Sequence, residues 1–413
     1  MNAEIITIGD ELLLGQVIDT NSSWLGQELN KIGLRVHYKS AISDSREAIL
    51  SSLFEASKRS NIIIITGGLG PTKDDITKTT MCEFFKSELV LNQKVLEWVQ
   101  SIFKNRNLPM LESNNQQAMV PKNCEVLWNR NGTAPGMWFY ENGVAYISMP
   151  GVPFEMKTIF EEEVIPKIKT IFKLPSILHR TFQTIGIGES FLAKRIILLE
   201  DALPAHIKLA YLPAVGSVRL RFSAFGDNKQ KLASELEPIV AHLYQLIGEA
   251  IFAEGENSIA EIVGEILTAR KKNIATAESC TGGFLAHLIT LVPGSSNYFI
   301  GSILSYANEI KIKEIGVNEN TINQHGAVSE ACVIEMASKI RTKFNTDYAL
   351  ATSGIAGPSG GTTLKPVGTV WIALATPSHT IAKCFQFGDN RERTIQRSAL
   401  AALEMLRQEL LKV

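Results

Sequence analysis

A continuous apolar run, NIIIIT at residues 61–66, constrains the fold of this chain more than any other feature. Its four isoleucines do not alternate with polar residues, so the pattern indicates a strand that is buried on both faces. Other short apolar runs, such as EIITI at residues 4–8, alternate with helical patterns in the same part of the chain. The sequence therefore predicts an α/β fold with a parallel sheet that helices cover on both sides.

The alternation of strands and helices ends near residue 172, and the chain of 413 residues is too long for one ordinary domain. We predict three parts. A parallel-sheet domain spans residues 1–172, a small α+β domain spans 173–252, and an α/β domain spans 253–413.

Composition excludes several classes of function. The formal net charge of −1 gives no global field that would recruit nucleic acid or an anionic membrane. The five cysteines are scattered, which argues against a disulfide framework or a structural zinc site. The early acids of MNAEIITIGDELLLG and the lack of an apolar run of about 20 residues predict neither a signal peptide nor a membrane-spanning helix. We expect a cytoplasmic protein that has no nucleic-acid or membrane partner.

Two glycine-containing segments follow predicted strands of the first domain, GDELLLG at residues 9–15 and TGGLGPTKDD at residues 66–75. Glycines at the carboxyl ends of parallel strands let the backbone approach a phosphate closely. The neighbouring acids predict a bridging divalent cation, since Mg²⁺ binds through one or two carboxylates and phosphate oxygens. The alternative is a tight turn with an Asp helix cap. The candidate phosphate residues are Gly67, Gly68, Gly70 and Thr72, and the candidate metal ligands are Asp10, Asp74 and Asp75.

A second candidate site lies in ATAESCTGGFLAHL, residues 275–288. The pattern predicts a strand that ends near Ser279 and a helix over TGGFLAHLITLV. A serine at such a junction is placed for acyl transfer, because free N–H groups of the turn can stabilise an oxyanion. Two alternatives stay open at this point: Ser279 or Thr281 only caps the helix, or Cys280 is the nucleophile.

A serine nucleophile needs a base. The segment SYANEIKIKEIGV, residues 305–317, offers Lys311 together with Tyr306 and Asn308. A desolvated lysine can act as a neutral base, whereas a surface lysine would have no such role. His325 is a weaker rival base, and His287 lies within an apolar helical pattern that favours a structural role.

A glycine- and hydroxyl-rich loop follows the predicted strand that ends near Ser353, in SGIAGPSGGTTLKPVGTV. Such a loop at a strand end can cradle a phosphate, although it is not a Walker A sequence. The alternative is a flexible connection. Arg391 could pair with the phosphate or be solvated. The candidate residues of this loop are Ser353, Gly354, Gly357, Gly360 and Gly361.

The first domain resembles known families through three motifs in order: GDELLLGQVIDTN, TGGLGPTKDD and SMPGVPFEM. They are similar to the molybdopterin-binding fold shared by MoaB, MogA and gephyrin, and more closely to the N-terminal domain of the CinA family. The resemblance implies hydrolysis of pyrophosphates such as ADP-ribose with Mg²⁺, Mn²⁺ or a similar metal. It makes Asp10, Asp74 and Asp75 candidate metal or water-activating residues. Simple binding of a pterin phosphate is the competing function.

The last domain resembles the C-terminal CinA domain, also found alone as nicotinamide mononucleotide deamidase. The resemblance rests on the order of AESCTGG, GSILSYANEIKIKEIGV, HGAVSE and SGIAGPSGGTTLKPVGTV. It implies cleavage of the nicotinamide carboxamide without a metal, with Ser279 as nucleophile and Lys311 and Tyr306 as its base system. Substrate binding would involve Thr281, Gly282, Gly283, Asn308, Arg391 and the loop from Gly354 to Gly361.

The resemblance therefore predicts an amidohydrolase that acts on small-molecule nucleotides, as a homodimer. The alternative is a non-catalytic molybdopterin- or nucleotide-binding scaffold. Such a binder would need glycines and hydrogen-bond donors, but it would not need Ser279 together with Lys311.

Overall fold

A computed structural model describes residues 1–105, 107–109 and 112–412. The chain divides into two units, one formed by residues 1–178 with 225–232 and one by residues 179–224 with 233–413. None of the described helices is both long enough and apolar enough to span a bilayer.

The first unit contains a six-stranded sheet and a two-stranded sheet. Its elements are β1 (Asn2–Ile8), α1 (Asp10–Leu13), α2 (Thr20–Lys31), β2 (Arg35–Ile42), α3 (Arg46–Ser57), β3 (Ile62–Thr66), α4 (Thr77–Phe84), β4 (Leu89–Leu91), α5 (Gln93–Asn105), α6 (Glu112–Gln116), β5 (Met119–Pro121), β6 (Glu125–Leu127), β7 (Gly136–Glu141), β8 (Val144–Met149), α7 (Pro153–Ile159), a π-helical turn (Phe160–Val164) and α8 (Ile165–Ile171).

The order of the large sheet is β2-β1-β3-β8-β7-β6. Strands β2, β1, β3 and β8 are parallel, and β7 pairs antiparallel with both β8 and β6. The predicted parallel-sheet α/β fold is confirmed, with the antiparallel edge as an addition.

The isoleucines of β3 are buried on both faces of this sheet, as the sequence predicts. Ile62 and Ile64 pack into a cluster that contains Phe160 of the π-helical turn. Ile63 and Ile65 pack into a second cluster on the opposite face. Because successive side chains of a strand point to opposite faces, two cores need an uninterrupted apolar run.

Residues 176–254 form an antiparallel sheet of order β10-β11-β9-β12 with two helices. Its elements are β9 (Ser176–Ile185), α9 (Glu189–Asp201), β10 (Ile207–Ala214), β11 (Ser217–Gly226), α10 (Lys229–Ile247) and β12 (Ile251–Glu254). This agrees with the α+β character expected from the sequence.

The rest of the second unit is built on a sheet of order β14-β13-β15-β16-β17. Its elements are α11 (Ile259–Ala269), β13 (Ile274–Glu278), α12 (Phe284–Thr290), β14 (Phe299–Leu304), α13 (Asn308–Ile310), a π-helical turn (Lys311–Ile315), α14 (Glu319–His325), α15 (Glu330–Phe344), β15 (Tyr348–Gly354), β16 (Thr369–Ala375), β17 (Thr380–Gln386) and α16 (Arg391–Leu411). Strands β14, β13 and β15 are parallel, so their carboxyl ends meet at one edge of the sheet.

One turn of the first unit supplies a test of its packing. Gly33 follows α2 with φ at +90°, and a Cβ there would lie 1.8 Å from the carbonyl oxygen of Pro175. Gly15 has φ at +70° but no atom within 4 Å of the same position. Gly15→Ala should therefore lower the free energy of unfolding by only about 1 kcal/mol, the cost of placing alanine in a left-handed conformation. Gly33→Ala should cost roughly 2 kcal/mol more, because the backbone must also move.

Denaturant unfolding of the two variants measures this difference in the free energy of unfolding. Equal losses of stability in Gly33→Ala and Gly15→Ala would contradict the packing of Gly33 against Pro175.

Candidate active site

Ser279 lies directly after β13, at the edge where the parallel strands of the second unit end. Its backbone N–H donates to the Thr352 carbonyl of β15 at 3.0 Å. The following helix begins at Phe284, later than the sequence analysis predicts. The reason is conformational: Gly282 and Gly283 have φ of +63° and +94°, which a right-handed helix excludes. Ser279 therefore belongs to a turn of residues 279–283 and not to a helix start.

Neither hydroxyl of this turn caps the helix. The Thr281 hydroxyl is hydrogen-bonded to the Thr352 hydroxyl at 2.7 Å, and Ser279 Oγ is hydrogen-bonded to Lys311. The free N–H groups at the start of α12 donate instead to the Glu278 carboxylate. Ser279 and Thr281 therefore do not cap the helix, and that alternative is wrong.

Lys311 is the first residue of the π-helical turn and its side chain is almost fully buried, with 1% exposure. The amino group lies 2.9 Å from Ser279 Oγ, 2.7 Å from the Ser305 carbonyl and 3.3 Å from the Tyr306 carbonyl. Burial lowers the pKa of Lys311 below its usual range, because desolvation disfavours the charged form. Lys311 is therefore not a surface lysine.

The three contacts of this amino group fit both of its protonation states. An uncharged amine has two N–H bonds and one lone pair, whereas an ammonium has three donors and no acceptor. An ammonium donates to Ser279 Oγ and to both carbonyls. A neutral amine donates to the carbonyls of Ser305 and Tyr306 and turns its lone pair to the Ser279 hydroxyl. The geometry is that of a general base beside its nucleophile.

The Tyr306 side chain contacts a different group from the one expected. Its hydroxyl accepts a hydrogen bond from Arg391 at 2.9 Å, and the residue is 62% exposed. Only the backbone carbonyl of Tyr306 contacts Lys311. Arg391, the first residue of α16, also donates to the Gly357 carbonyl at 2.8 Å. The phenol is therefore linked to a cation of the cavity rim and not to the Ser279–Lys311 pair.

A cavity of about 240 Å³ opens beside Ser279 and Lys311. It brings together seven of the residues that the sequence analysis selects, and four further residues complete its lining. The lining residues are Ser279, Lys311, Tyr306, Asn308, Ser353, Gly354 and Arg391, with Cys280, Ala327, Val328 and Ala356.

The remaining predicted residues of this unit are not among the lining residues. Thr281 is buried against Thr352, and Gly282 and Gly283 shape the turn. A Cβ on Gly357 would lie 2.5 Å from Val367, and one on Gly361 would lie 2.7 Å from the Val367 nitrogen. These two glycines fold their loop against itself, and Gly360 lies in the same loop with φ at +90°.

Cys280 is buried beside Ser279, and burial raises the pKa of its thiol to about 12. The thiolate is the nucleophilic form of cysteine, so this thiol is poorly suited to attack near neutral pH. His325 is exposed and is not among the residues lining the described cavity. His287 is also exposed, contrary to the structural role that its helical pattern favours.

Two residues of the site escaped the sequence analysis. Glu278 is fully buried at the end of β13, and its carboxylate accepts three backbone N–H groups. Ser305 donates its N–H and hydroxyl to the Glu278 carbonyl and accepts from Lys311. A charged residue that ends an apolar strand run was the available signal for Glu278. Ser305 has no such signal, because its role depends on the pairing of β13 with β14.

The glycine-rich loop of the first unit is held tightly at the ends of β1, β3 and β8. A Cβ on Gly67 would lie 2.2 Å from the Ile8 carbonyl oxygen, and one on Gly68 would lie 2.1 Å from Thr77 Oγ1. Thr77 Oγ1 is buried and has no hydrogen-bond partner among the described residues. The loop needs glycine at both positions, and it leaves one polar atom that a ligand could satisfy.

The acids of this unit do not form a finished metal site. Asp75 accepts hydrogen bonds from the Thr72 N–H at 2.9 Å and the Thr72 hydroxyl at 2.5 Å, as in the alternative turn interpretation. Asp44 accepts from the Asp10 N–H at 3.0 Å, and burial followed by repulsion from acids that include Asp10 and Asp74 raises its pKa. Within residues 1–105, 107–109 and 112–412, no three His, Cys, Asp or Glu side chains are placed to hold a metal ion. A cation here would need ligands from a bound phosphate.

The lowered pKa of Lys311 gives a stability prediction. Between that pKa and the unfolded value, the unfolded chain binds more protons, so the free energy of unfolding rises with pH. Lys311→Met removes this contribution. We expect wild-type protein to gain stability relative to Lys311→Met as pH rises from neutrality to about 10.

Denaturant unfolding across this pH range checks the difference, with the exposed Lys313→Met on the same turn as the matched control. The stability difference between wild type and Lys311→Met is compared with that between wild type and Lys313→Met. If both change with pH in the same way, a lowered pKa of Lys311 is contradicted.

Comparisons with known proteins cover all of the chain. Three family models match the chain: the probable molybdopterin binding domain at residues 4–170, the damage-inducible protein CinA KH domain at 179–253 and the CinA C-terminal domain at 256–410. A CinA-like protein of Cytophaga hutchinsonii is 48% identical over 100% of this chain and 98% of its own length. One of Flavobacterium psychrophilum is 48% identical over 100% and 99%.

Among solved structures, a CinA superfamily protein of Klebsiella pneumoniae is 32% identical and covers 38% of this chain and 100% of its own, with a TM-score of 0.37. The full-length identity to CinA-like proteins shows that this chain belongs to the CinA family.

Proposed function

We propose that the second unit is an amidohydrolase that converts nicotinamide mononucleotide and water to nicotinate mononucleotide and ammonia. One observation carries the proposal: the buried amino group of Lys311 lies 2.9 Å from the hydroxyl of Ser279, in a cavity that also contains Arg391. The resemblance of the motifs to nicotinamide mononucleotide deamidase supplies the substrate.

In the proposed mechanism, neutral Lys311 takes the hydroxyl proton of Ser279 as Oγ attacks the carboxamide carbon. The carbonyl oxygen becomes an oxyanion. The backbone N–H groups of Cys280 and Thr281 donate to no other residue of the described chain, so in this proposal they stabilise it.

Collapse of this intermediate breaks the C–N bond. Protonated Lys311 gives its proton to the departing nitrogen, and ammonia leaves with an ester formed on Ser279. Lys311 then takes a proton from water, hydroxide attacks the ester, and the proton returns to Ser279 as the acid is released. No change of oxidation state and no metal is needed for these steps.

Arg391 is the proposed partner of the substrate phosphate, because guanidinium binds phosphate through paired N–H groups. Its present partners are the Tyr306 hydroxyl and the Gly357 carbonyl, both neutral acceptors that an anionic phosphate would outcompete. In this proposal Tyr306 acts on the phosphate side, while its carbonyl holds Lys311. The proposed enzyme is cytoplasmic and homodimeric.

The nucleophile assignment predicts a clear order among variants. Ser279→Ala should lower the deamidation rate by roughly 10³-fold or more, and Lys311→Met nearly as much. The double variant should be barely worse, because residues that act as one unit are not additive. Cys280→Ala should keep most activity. Release of ammonia from nicotinamide mononucleotide is the measurement.

Cys280→Ala serves as the matched control, since it alters the adjacent side chain of the same turn. If Cys280→Ala is inactive and Ser279→Ala is active, the assignment of Ser279 as nucleophile is wrong, although the protein is still an amidase. Wild-type protein that releases no ammonia would overturn the amidase itself.

For the first unit we propose a phosphate-bearing ligand at the glycine-rich loop and metal-dependent hydrolysis of a pyrophosphate such as ADP-ribose. The support is Thr77 Oγ1, buried beside Gly68 without a partner among the described residues, and the repulsion of the Asp44 carboxylate by Glu11, Asp10 and Asp74, which a cation would relieve. A bound Mg²⁺ or Mn²⁺ would supply charge neutralisation and water activation. The alternative is a non-catalytic molybdopterin- or nucleotide-binding scaffold.

Chelation separates the two sites. EDTA should abolish ADP-ribose hydrolysis and leave deamidation nearly unchanged, because only the first site places carboxylates beside a phosphate loop. Asp74→Asn should impair the hydrolysis more than Glu88→Gln, an exposed acid of the same unit. Product identification with both substrates, with and without metal, is the measurement. Deamidation that EDTA removes and Mg²⁺ restores would contradict the serine mechanism.

A further inference from the structure

The Glu278 carboxylate is the most enclosed charge near the candidate active site. The residue has 0% exposure at the end of β13. Its Oε2 accepts the N–H groups of Gly283 and Leu285 at 3.1 Å each, and its Oε1 accepts the N–H of Ala286 at 2.8 Å. These partners are all backbone amides, and among the described residues no cation pairs with Glu278. A buried charge is tolerated only when such donors satisfy it.

These hydrogen bonds add to two that the turn makes itself, from the Gly282 N–H to the Ser279 carbonyl at 3.1 Å and from the Phe284 N–H to the Thr281 carbonyl at 3.0 Å. Gly282 and Gly283 both have positive φ, and a Cβ at either position would contact nothing within 4 Å. Two consecutive glycines in open space leave a turn with large conformational freedom. The carboxylate fixes the far end of that turn, and the bond from the Ser279 N–H to Thr352 fixes the near end.

The turn held in this way presents Ser279 and two unpaired donors together. The N–H groups of Gly283, Leu285 and Ala286 are occupied by Glu278, whereas those of Cys280 and Thr281 donate to no other residue of the described chain. The turn's N–H groups that bind no other described residue are therefore those of the two residues that follow Ser279.

The backbone of the same residue reaches the base. The Glu278 carbonyl accepts the Ser305 N–H at 2.7 Å and the Ser305 hydroxyl at 3.2 Å. The Ser305 carbonyl in turn accepts from Lys311 Nζ at 2.7 Å. Glu278 is therefore connected to the turn through its side chain and to the lysine through its main chain, and only the first connection depends on the carboxylate.

We propose that Glu278 is a positioning residue of the amidase: its carboxylate holds the turn of residues 279–283 so that the Cys280 and Thr281 N–H groups face the oxyanion. The assignment rests on the proposed function. Glu278 touches neither substrate nor reacting atoms in this role. It acts by fixing the donors before the reaction, which is the condition under which such donors are effective.

Glu278→Gln is the first test. The side chain keeps its shape, but its NH₂ group must face a backbone N–H, so at least one of the three hydrogen bonds is lost. We expect kcat for nicotinamide mononucleotide to fall roughly 10²-fold, the effect of losing one oxyanion donor, with KM within about threefold. The acidic limb of the kcat/KM profile against pH should stay in place, because the carboxylate does not contact Lys311.

The matched control is Glu261→Gln. Glu261 lies in the same unit and accepts the Ser258 N–H at 2.6 Å at the start of α11. This variant makes the same substitution at another carboxylate that accepts a backbone N–H, away from the cavity, and should retain wild-type kcat.

A thioamide analogue of nicotinamide mononucleotide makes the test specific for the oxyanion. Sulfur accepts hydrogen bonds poorly, so wild-type protein should prefer the oxygen substrate, and Glu278→Gln should reduce that preference at least tenfold in the ratio of kcat/KM values. Both rates come from one preparation, so the ratio does not depend on the fraction of folded protein. If Glu278→Gln yields no soluble protein, the same ratio of kcat/KM values is measured with Glu278→Asp.

An unchanged oxygen-to-sulfur ratio, or a kcat within threefold of wild type, would overturn the role of Glu278 while the amidase stands. Wild-type protein inactive on nicotinamide mononucleotide would overturn both the amidase and this role.

Discussion

The contact between Lys311 and Ser279 is built around an amino group that the fold shields from water. Lys311 is buried to 1% exposure, and desolvation lowers its pKa. Two backbone carbonyls, those of Ser305 and Tyr306, take the place of water around its N–H groups. These carbonyls lie at the end of β14, whose pairing with β13 places Ser305 against Glu278. The surroundings of the Lys311 amino group therefore follow from strand pairing.

Both units place their candidate sites at the carboxyl ends of parallel strands, with different results. In the first unit the strand ends carry acids, and burial followed by repulsion from Glu11, Asp10 and Asp74 raises the pKa of Asp44. In the second unit the strand ends carry hydroxyl groups and one buried amine, which satisfy one another directly. The first arrangement brings like charges together, whereas the second pairs donors with acceptors inside the chain.

The sequence allowed the fold class and several cavity residues to be predicted, because strand runs and motif order are local signals. It could not show which donor and acceptor meet across strands. Helix α12 starts later than predicted, since the left-handed φ of Gly282 and Gly283 is not visible in a helical pattern. The Tyr306 hydroxyl was assigned to the base system, but it bonds Arg391, which is 85 residues away in the chain. Glu278 was visible as a residue, yet its role depends on three-dimensional contacts.

The same dry environment decides between the two adjacent nucleophiles. Burial disfavours charge, so it lowers the pKa of an amine and raises that of a thiol. For Lys311 the result is a lowered pKa, which favours the unprotonated form that a serine nucleophile needs as its base. For Cys280 the result is a pKa of about 12, which keeps the thiol protonated and unreactive near neutral pH. A cysteine nucleophile would need a more polar or cationic site than this one, so the desolvation that makes Lys311 useful to Ser279 disables its neighbour.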